Sequence, residues 1–473
     1  MSRRPNVIWI TLDSVRADHT TLAGYDRDTT PELERIARSG TAFSTCFAHG
    51  NYTLSSSGAI LTGTYPQHNT VGITGERLPD ELPTVAERFA DAGYRTACLS
   101  RNSYLSEATG LDRGFDRFSW IAGHNIHRAA GLRTLLKFAP NLWTHSAGLT
   151  TDTGKHATPF VMNDVAKRWL GDLQGEDPFF FYLHYNEPHR PYYPPGMTRD
   201  QFADELAVDG ETAAEIAMDS HTDITDYVAG SKSVDPDVLD VLVAMYDAEV
   251  SYTDYMVGQL YDHIRSLPLS DTIVVVTADH GELFGERGLF AHKIGLDDPL
   301  LHVPLVVDGI DDFAADADDI VQHMDVMETL LGLAGADRQG THGVDLREAS
   351  REYAFAGRGP ADFEQYIERN PDFETDRYFG GRLTAVRTHD YKYLSEEGGS
   401  DALYAMAPDA HDGPVVYPDE ETDVSAAFED EYAELSAVVE EFRETEGLPV
   451  GEGGSAAFDD AMQRQLSDLG YLD

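Results

Sequence analysis

Two apolar runs, Asn6-Val7-Ile8-Trp9-Ile10-Thr11-Leu12 and Thr272-Ile273-Val274-Val275-Val276-Thr277-Ala278, each stop on an aspartate, and the second continues Asp279-His280-Gly281-Glu282. Two carboxylates with an imidazole offer a divalent cation mixed oxygen and nitrogen ligands, a set that suits Mn or Zn, or Ca or Mg with further oxygens. Asp13, Asp279 and His280 are therefore the candidate metal ligands. The competing reading is that each aspartate caps a helix after its strand. Between the two runs lies Thr53-Leu54-Ser55-Ser56-Ser57-Gly58-Ala59-Ile60-Leu61-Thr62-Gly63, a hydroxyl-rich entry into a short apolar helix. A hydroxyl at a helix N-terminus sits in positive potential, and a nearby divalent cation lowers its pKa further. Thr53 is the candidate nucleophile, against the simpler reading of a hydroxyl that only caps the helix.

Short runs rich in Val and Ile read as strands buried on both faces of a parallel sheet, and such sheets bind ligands beyond the carboxyl ends of their strands. The elements around them alternate. Thr30-Pro31-Glu32-Leu33 opens a helix that Gly40 ends, Pro83 to Gly93 repeats the form, Arg95 to Leu99 and Phe179 to Tyr185 read as strands, and Val238 to Ile264 is a long amphipathic helix leading to the strand before Asp279. The predicted fold is α/β, a doubly wound, mostly parallel sheet over residues 1–345. Stretches 122–159 and 196–235 lose periodicity and are read as insertions or lids. Val303 to Val307 adds a strand and Met324 to Ala334 a helix. Residues 346–473 change style into a smaller α+β subdomain: antiparallel strands at Tyr353 to Gly357, Leu383 to Thr388 and Tyr391 to Leu394, an acidic helix from Ser425 to Thr445, and a flexible spacer at Gly451 to Ser455.

The 473 residues suffice for a large core, and 41% hydrophobic content with 10% aromatics excludes a disordered or fibrous chain. Against 35 basic residues stand 83 acidic ones, a formal charge of −48. The carboxylates are dispersed from Asp80 to Glu440, so this is no acidic tail. Self-repulsion on that scale weakens a compact state unless salt screens it, and molar salt shortens the screening length to about 3 Å. The expected setting is a salt-loaded cytoplasm. Such a field repels nucleic acid and anionic lipid, no apolar stretch approaches the roughly 20 residues of a membrane span, and no leader precedes the first strand. Cys46 and Cys98, without CxxC spacing, read as small core residues.

Several further segments fall into one order: Asp13 with Arg16 and Asp18, Thr30-Pro31 to Gly40 and Phe43, Leu61-Thr62-Gly63, Pro188-His189, Asp279-His280-Gly281-Glu282, His292-Lys293 and Val303-Pro304-Leu305. Together they resemble the sulfatase family within the alkaline phosphatase superfamily, over most of residues 5–310, and Thr384 to Thr388 with Tyr391-Lys392-Tyr393 is similar to that family's C-terminal subdomain. The resemblance implies that Asp13, Asp279 and His280 hold a divalent metal. It places Thr53 where the family carries the residue converted to formylglycine. His189 would bind the ester or protonate the leaving group, Lys293 would neutralise the transferred group, and Arg101 and Asn102 stand near the family's sulfate-gripping positions. Arg16 and His292 join them as candidate substrate contacts, although Arg16 is also placed to orient Asp13 or Asp18 through a bidentate ion pair. His184, inside a strand, reads as a packed core histidine. Asp254 is a possible contributor to a second metal or, more simply, an interhelix carboxylate.

The departures carry information. Threonine cannot become formylglycine, Ser55 and Ser57 replace the Pro and Arg of the modification signature, and Ser14 replaces the second aspartate of an Asp-Asp pair. A threonine nucleophile is the pattern of superfamily branches that move phosphoryl groups. The expectation is a metal-dependent hydrolase or transferase acting on sulfate or phosphate esters of a small molecule or glycan, with phosphoester favoured and no formylglycine. A non-catalytic, anion- or metal-binding member and a two-metal isomerase are the alternatives. The charge alone gives a first test: the thermal unfolding midpoint, followed by circular dichroism, rises as KCl is taken from millimolar to molar, and a level or falling midpoint refutes the salt-adapted reading.

Overall fold

A computed structural model describes residues 4–468 and 470, apart from 123, 124, 270, 407–416, 419 and 452. The strands run β1 (Asn6–Leu12), β2 (Thr41–Phe47), β3 (Arg95–Ser100), β4 (Arg117–Trp120), β5 (Phe179–Tyr185), β6 (Thr272–Ala278), a short hairpin of β7 (Leu283–Phe284) with β8 (Phe290–Ala291), then β9 (His302–Asp308) and β10 (Val321–Gln322). All but the hairpin form one sheet in the order β10-β2-β9-β6-β1-β5-β3-β4. β9 runs antiparallel to its neighbours β2 and β6, and every other pairing is parallel. The expected α/β fold with a mostly parallel sheet is what forms. β1, β5 and β6 are buried along their whole lengths, which is why their sequences run apolar instead of alternating. Cys46 and Cys98 are free thiols buried in β2 and β3.

Helices cover the sheet. α1 (Pro31–Ala37) starts on Pro31 and buries Leu33 and Ile36; α2 (Thr53–Thr62) is buried throughout and ends on Gly63 at φ 70°. α3 (Val85–Asp91) is fixed by a reciprocal capping box between Thr84 and Glu87. α4 (Pro159–Leu173) precedes β5. The segment expected to be an irregular lid contains a 20-residue helix, α5 (Gly210–Ala229). Its buried face includes Gly210, Ala213, Ala214, Ala217 and Ser220, small residues that let it pack closely without a strong apolar period. The long helix is α6 (Pro236–Ser266), capped by Asp235, and α7 (His323–Ala334) follows β10.

A second sheet is antiparallel, in the order β11 (Ala354–Arg358), β12 (Leu383–Arg387), β13 (Tyr391–Glu396) and β14 (Asp401–Ala405), and carries the acidic helix α8 (Glu429–Glu444). Leu435, Val439 and Phe442 of α8 pack with Tyr393, Tyr65 and Met324, so this small core continues into the large one. The expected flexible spacer is anchored at Gly454, whose O accepts backbone hydrogen bonds from Glu76 and Arg77 at 2.8 and 2.9 Å. A final helix, α9 (Asp460–Asp468), buries Leu466 against the main core. No helix among the described residues is long and apolar enough to cross a membrane.

The two sheets are also joined by charge. Lys392 on β13 is fully buried, with Nζ 3.0 Å from Asp298 and 2.8 Å from Glu420. Removing one partner of a buried ion cluster leaves the others uncompensated. Lys392→Met is expected to cost about 3–5 kcal/mol in urea unfolding, and a loss below about 1 kcal/mol shows that the cluster is not needed.

Candidate functional site

Strand register builds the site. Leu12 lies opposite Tyr185 on β5 and opposite Ala278 on β6, so the residues that follow, Asp13 and Asp279, leave the sheet side by side at the same end. Thr11 and Ser100 both pair with His184, which brings that ring and the turn after β3 to the same place. Asp13, Asp279, Thr53, His184, His280 and Asn102 are all without solvent exposure.

Asp13 is the hub. Its Oδ2 accepts from Asn102 Nδ2 at 3.1 Å and Thr53 Oγ1 at 3.3 Å, with His184 Nε2 also at 3.3 Å. Its Oδ1 accepts from Ser14 Oγ at 3.0 Å and lies 3.6 Å from His280 Nε2. Asp279 Oδ1 accepts from the backbone N–H groups of His280 (2.9 Å) and Ser14 (3.2 Å). To reach Asp279, Ser14 takes φ 68°, a left-handed conformation uncommon for a residue with a Cβ. Asp279 Oδ2 has no hydrogen-bond partner among the described residues and faces His280 Nε2 at 3.7 Å and His184 Nε2 at 3.9 Å. His280 donates Nδ1–H to Gly281 O at 2.8 Å, which leaves Nε2 turned toward both carboxylates and 3.4 Å from Thr53 Oγ1. Gly281 admits no side chain, since a Cβ there would stand 1.9 Å from Pro299 O.

Burial opposes ionisation of Asp13, but His189, His184 and His280 together hold its carboxyl well below the usual carboxylate range. Burial and the neighbouring Asp13 charge push Asp279 up. For His280, burial is outweighed by Asp279 and Asp13, and its pKa rises. Like charges at close quarters, an orphaned carboxylate oxygen and imidazole nitrogens aimed inward fit a divalent cation. Atoms of Asp13, His184 and Asp279 lie within 4.8 Å of one another, close enough to share one. His184, read from the sequence as a packed core histidine, therefore belongs to the site. Its involvement depends on which residues of β1 and β3 lie beside it, which the local pattern of β5 does not show.

Thr53 is the first residue of α2, after Tyr52 at the cap, and its hydroxyl points into the carboxylate and imidazole group. Asn102, expected as a substrate contact, bonds Asp13 and lies 3.4 Å from Thr53 Oγ1. His292 is locked to Glu282 at 3.0 Å, and its ring lies 4.6 Å from that of His280 and 5.0 Å from that of His189. His189 donates Nδ1–H to Arg190 O at 2.7 Å; burial lowers its pKa to about 3, despite the attraction of Asp13. Lys293 is half-buried beside His292, whose pKa its charge helps to depress after burial has done most.

Arg16 is committed elsewhere. Its guanidinium forms a bidentate pair with Asp18 at 2.9 and 2.8 Å and bonds Glu286 at 2.6 Å, so it is a structural ion pair and not a substrate contact. Asp254 accepts the backbone N–H groups of Glu32 and Leu33, both at 2.8 Å, and caps α1 instead of supplying a second metal. Arg101 does reach the site's outer side. With His189, Arg190, Glu187 and Glu249 it lines a cavity of about 270 Å³. Burial, with Glu187 nearby, raises Glu249 to about 8.

A mostly parallel sheet flanked by a small antiparallel sheet is a fold that this chain shares with solved hydrolase structures. The phosphonate monoester hydrolase of Agrobacterium radiobacter superposes with a TM-score of 0.68 at 19% identity, covering 94% of this chain and 96% of that one. A family model described as Sulfatase matches residues 5–336, and the chain belongs to that family, an enzyme of the sulfuric- and phosphoric-ester hydrolase class. A sulfatase of Formosa agariphila is 23% identical over 86% of this chain and 82% of its own length. An N-acetylglucosamine-6-O-sulfatase of Bacteroides thetaiotaomicron is 23% identical over 83% of this chain and 78% of its own.

Two outcomes follow from this geometry. His184→Ala weakens Mn²⁺ binding, measured by calorimetry, by at least about tenfold; unchanged affinity removes His184 from the ligand set. Glu249 binds a proton more tightly folded than unfolded, so the wild type loses stability as pH rises from the ordinary glutamate value toward about 8. Glu249→Gln abolishes that loss, gaining on the wild type by up to about 1 kcal/mol per pH unit across the window; parallel pH profiles of the two proteins contradict it.

Proposed function

We propose that this protein is a divalent-cation-dependent hydrolase or transferase in which Thr53 carries the covalent intermediate, acting on phosphate esters in preference to sulfate esters of a small molecule or glycan. The observation that carries the reading is the Thr53 hydroxyl, at the first residue of a buried helix, 3.3 Å from Asp13 and 3.4 Å from His280. Asp13, His184, Asp279 and His280 would hold the cation, which when bound supplies Lewis acidity to the Thr53 hydroxyl and screens the ester's anionic oxygens.

Thr53 Oγ attacks phosphorus in line; the Oγ–P bond forms, the bond to the alcohol oxygen breaks, and the hydroxyl proton leaves to solvent, because Asp13, held well below the usual carboxylate range, orients the hydroxyl but is too weak a base to keep its proton. His189 enters neutral, its Nδ1–H held by Arg190 O, and an arriving anionic ester stabilises a proton taken from solvent onto Nε2. That proton goes to the departing alcohol oxygen; His189 then accepts one from the water or acceptor alcohol that cleaves the threonine ester, and the released Thr53 oxygen regains its proton from solvent. Lys293 and the N-terminal end of α2 offset charge on the transferred group. Threonine carries a single oxygen on Cβ, so its ester cannot collapse by elimination from that carbon and must be opened at the central atom. This chemistry, with the phosphonate monoester hydrolase likeness, supports phosphorus over sulfur. The dispersed negative charge supports work in a high-salt cytoplasm.

The test is parallel hydrolysis of 4-nitrophenyl phosphate, bis(4-nitrophenyl) phosphate and 4-nitrophenyl sulfate in molar KCl with Mn²⁺, Zn²⁺, Ca²⁺ or Mg²⁺. A phosphorus ester is expected to turn over fastest, and Thr53→Ala to lose at least about a thousandfold in kcat. Preference for the sulfate, or an active Thr53→Ala, overturns the mechanism; bound metal without any turnover favours a non-catalytic member.

A further inference from the structure

The cavity beside His189 is cationic in a chain whose charge is −48. Arg101 comes from the turn after β3, Arg190 follows His189, and Arg464 comes from α9. Arg190 is buried, with Nη1 3.3 Å from His221 Nδ1 and Nη2 donating to Gly470 O at 3.3 Å, and no carboxylate pairs with it among the described residues. Arg464 is exposed at the mouth of the cavity and has no ion pair among the described residues. Glu187 in the same wall faces the charge of Arg101, but neither it nor Glu249 pairs with Arg190 or Arg464 among the described residues. Glu187 Oε1 is engaged by the Thr158 N–H at 2.7 Å and hydroxyl at 2.9 Å, while Glu249, held largely neutral by burial, keeps an unpartnered Oε2 and can donate a hydrogen bond. Arg190 and Arg464, without a carboxylate partner among the described residues and lining one concave site, are matched by an anion brought in with the ligand.

The helix that supplies Arg464 is anchored. Gln465 donates to the Arg101 carbonyl, Leu466 is fully buried, and Gly454 upstream is bonded to the Glu76–Arg77 backbone. We propose that α9 completes the substrate pocket and that Arg464, with Arg101 and Arg190, forms a subsite for a second anionic group on the alcohol part of the ester. The enzyme then selects esters of acidic alcohols, with one anion at Thr53 and the other past His189. The inference rests on the reading of Thr53 as the reacting group, which fixes where the ester lies.

The test compares phenyl phosphate with its 3-carboxy and 3-sulfo derivatives in the presence of Mn²⁺, for the wild type, Arg464→Ala, Arg464→Glu and, as a charge control on α1, Arg38→Ala. The carboxylated or sulfonated ester is expected to exceed phenyl phosphate by at least about tenfold in kcat/KM. Arg464→Ala and Arg464→Glu should erase most of that ratio, chiefly through KM, and Arg38→Ala should keep it. The two derivatives tell a carboxylate subsite from a sulfate one. A second readout needs no turnover: Thr53→Ala is titrated by calorimetry with phenylphosphonate and 3-carboxyphenylphosphonate, and the dianionic side should bind at least about tenfold tighter unless Arg464 is replaced. No preference in either assay, or a preference that survives both Arg464 variants, overturns the subsite. Tighter binding without hydrolysis would instead leave the subsite standing and defeat the Thr53 mechanism.

Discussion

Two carboxylates buried side by side repel each other strongly in a medium that screens them poorly, and the pairing of β1 with β6 imposes this on Asp13 and Asp279. Much of the surrounding structure answers that constraint. His184, His189 and His280 bring positive or polarisable groups to Asp13, Ser14 bends into a left-handed conformation to offer Asp279 an N–H, and Asn102 donates to the remaining lone pairs. The nucleophile depends on the same arrangement. Thr53 faces Asp13 and His280 only because α2 enters the sheet's carboxyl end at that point.

What could be read from the residues alone followed physical regularity. The apolar runs of β1, β5 and β6 have no alternation because both faces are covered, and Thr30-Pro31 marks the start of α1 by ordinary helix-start chemistry. α5 lies in a stretch read only as an insertion or lid: its buried side chains over the first half are glycine, alanine and serine, and the larger Tyr227 and Val228 come only at its end. The segment around Gly454 escaped because a glycine-rich stretch reads as a flexible spacer, whereas the backbone N–H groups of Glu76 and Arg77 hold it.

At the site, residues that end strands were legible and residues that act through register were not. Asp13 and Asp279 announce themselves by halting apolar runs, whereas His184 sits inside one and is placed by Thr11 and Ser100 on neighbouring strands. Arg16 was legible for a local reason: two residues from Asp18, its planar guanidinium is placed for the bidentate pair that forms, and the partner that spacing does not show is Glu286, 270 residues away in the chain.

Lys392 gives the small sheet a place in the chemistry without its touching the site. Its ammonium neutralises Asp298, which opens the short helix leading into β9, a few residues after His292 and Lys293. The segment bearing those two side chains is thus held from behind by an element at the molecule's flank. Detaching that element is a local opening, which takes less free energy than melting the main sheet. The protein should then lose competence on warming while its eight-stranded sheet is still intact, so that its working temperature is set by the smaller sheet's grip and not by the larger core.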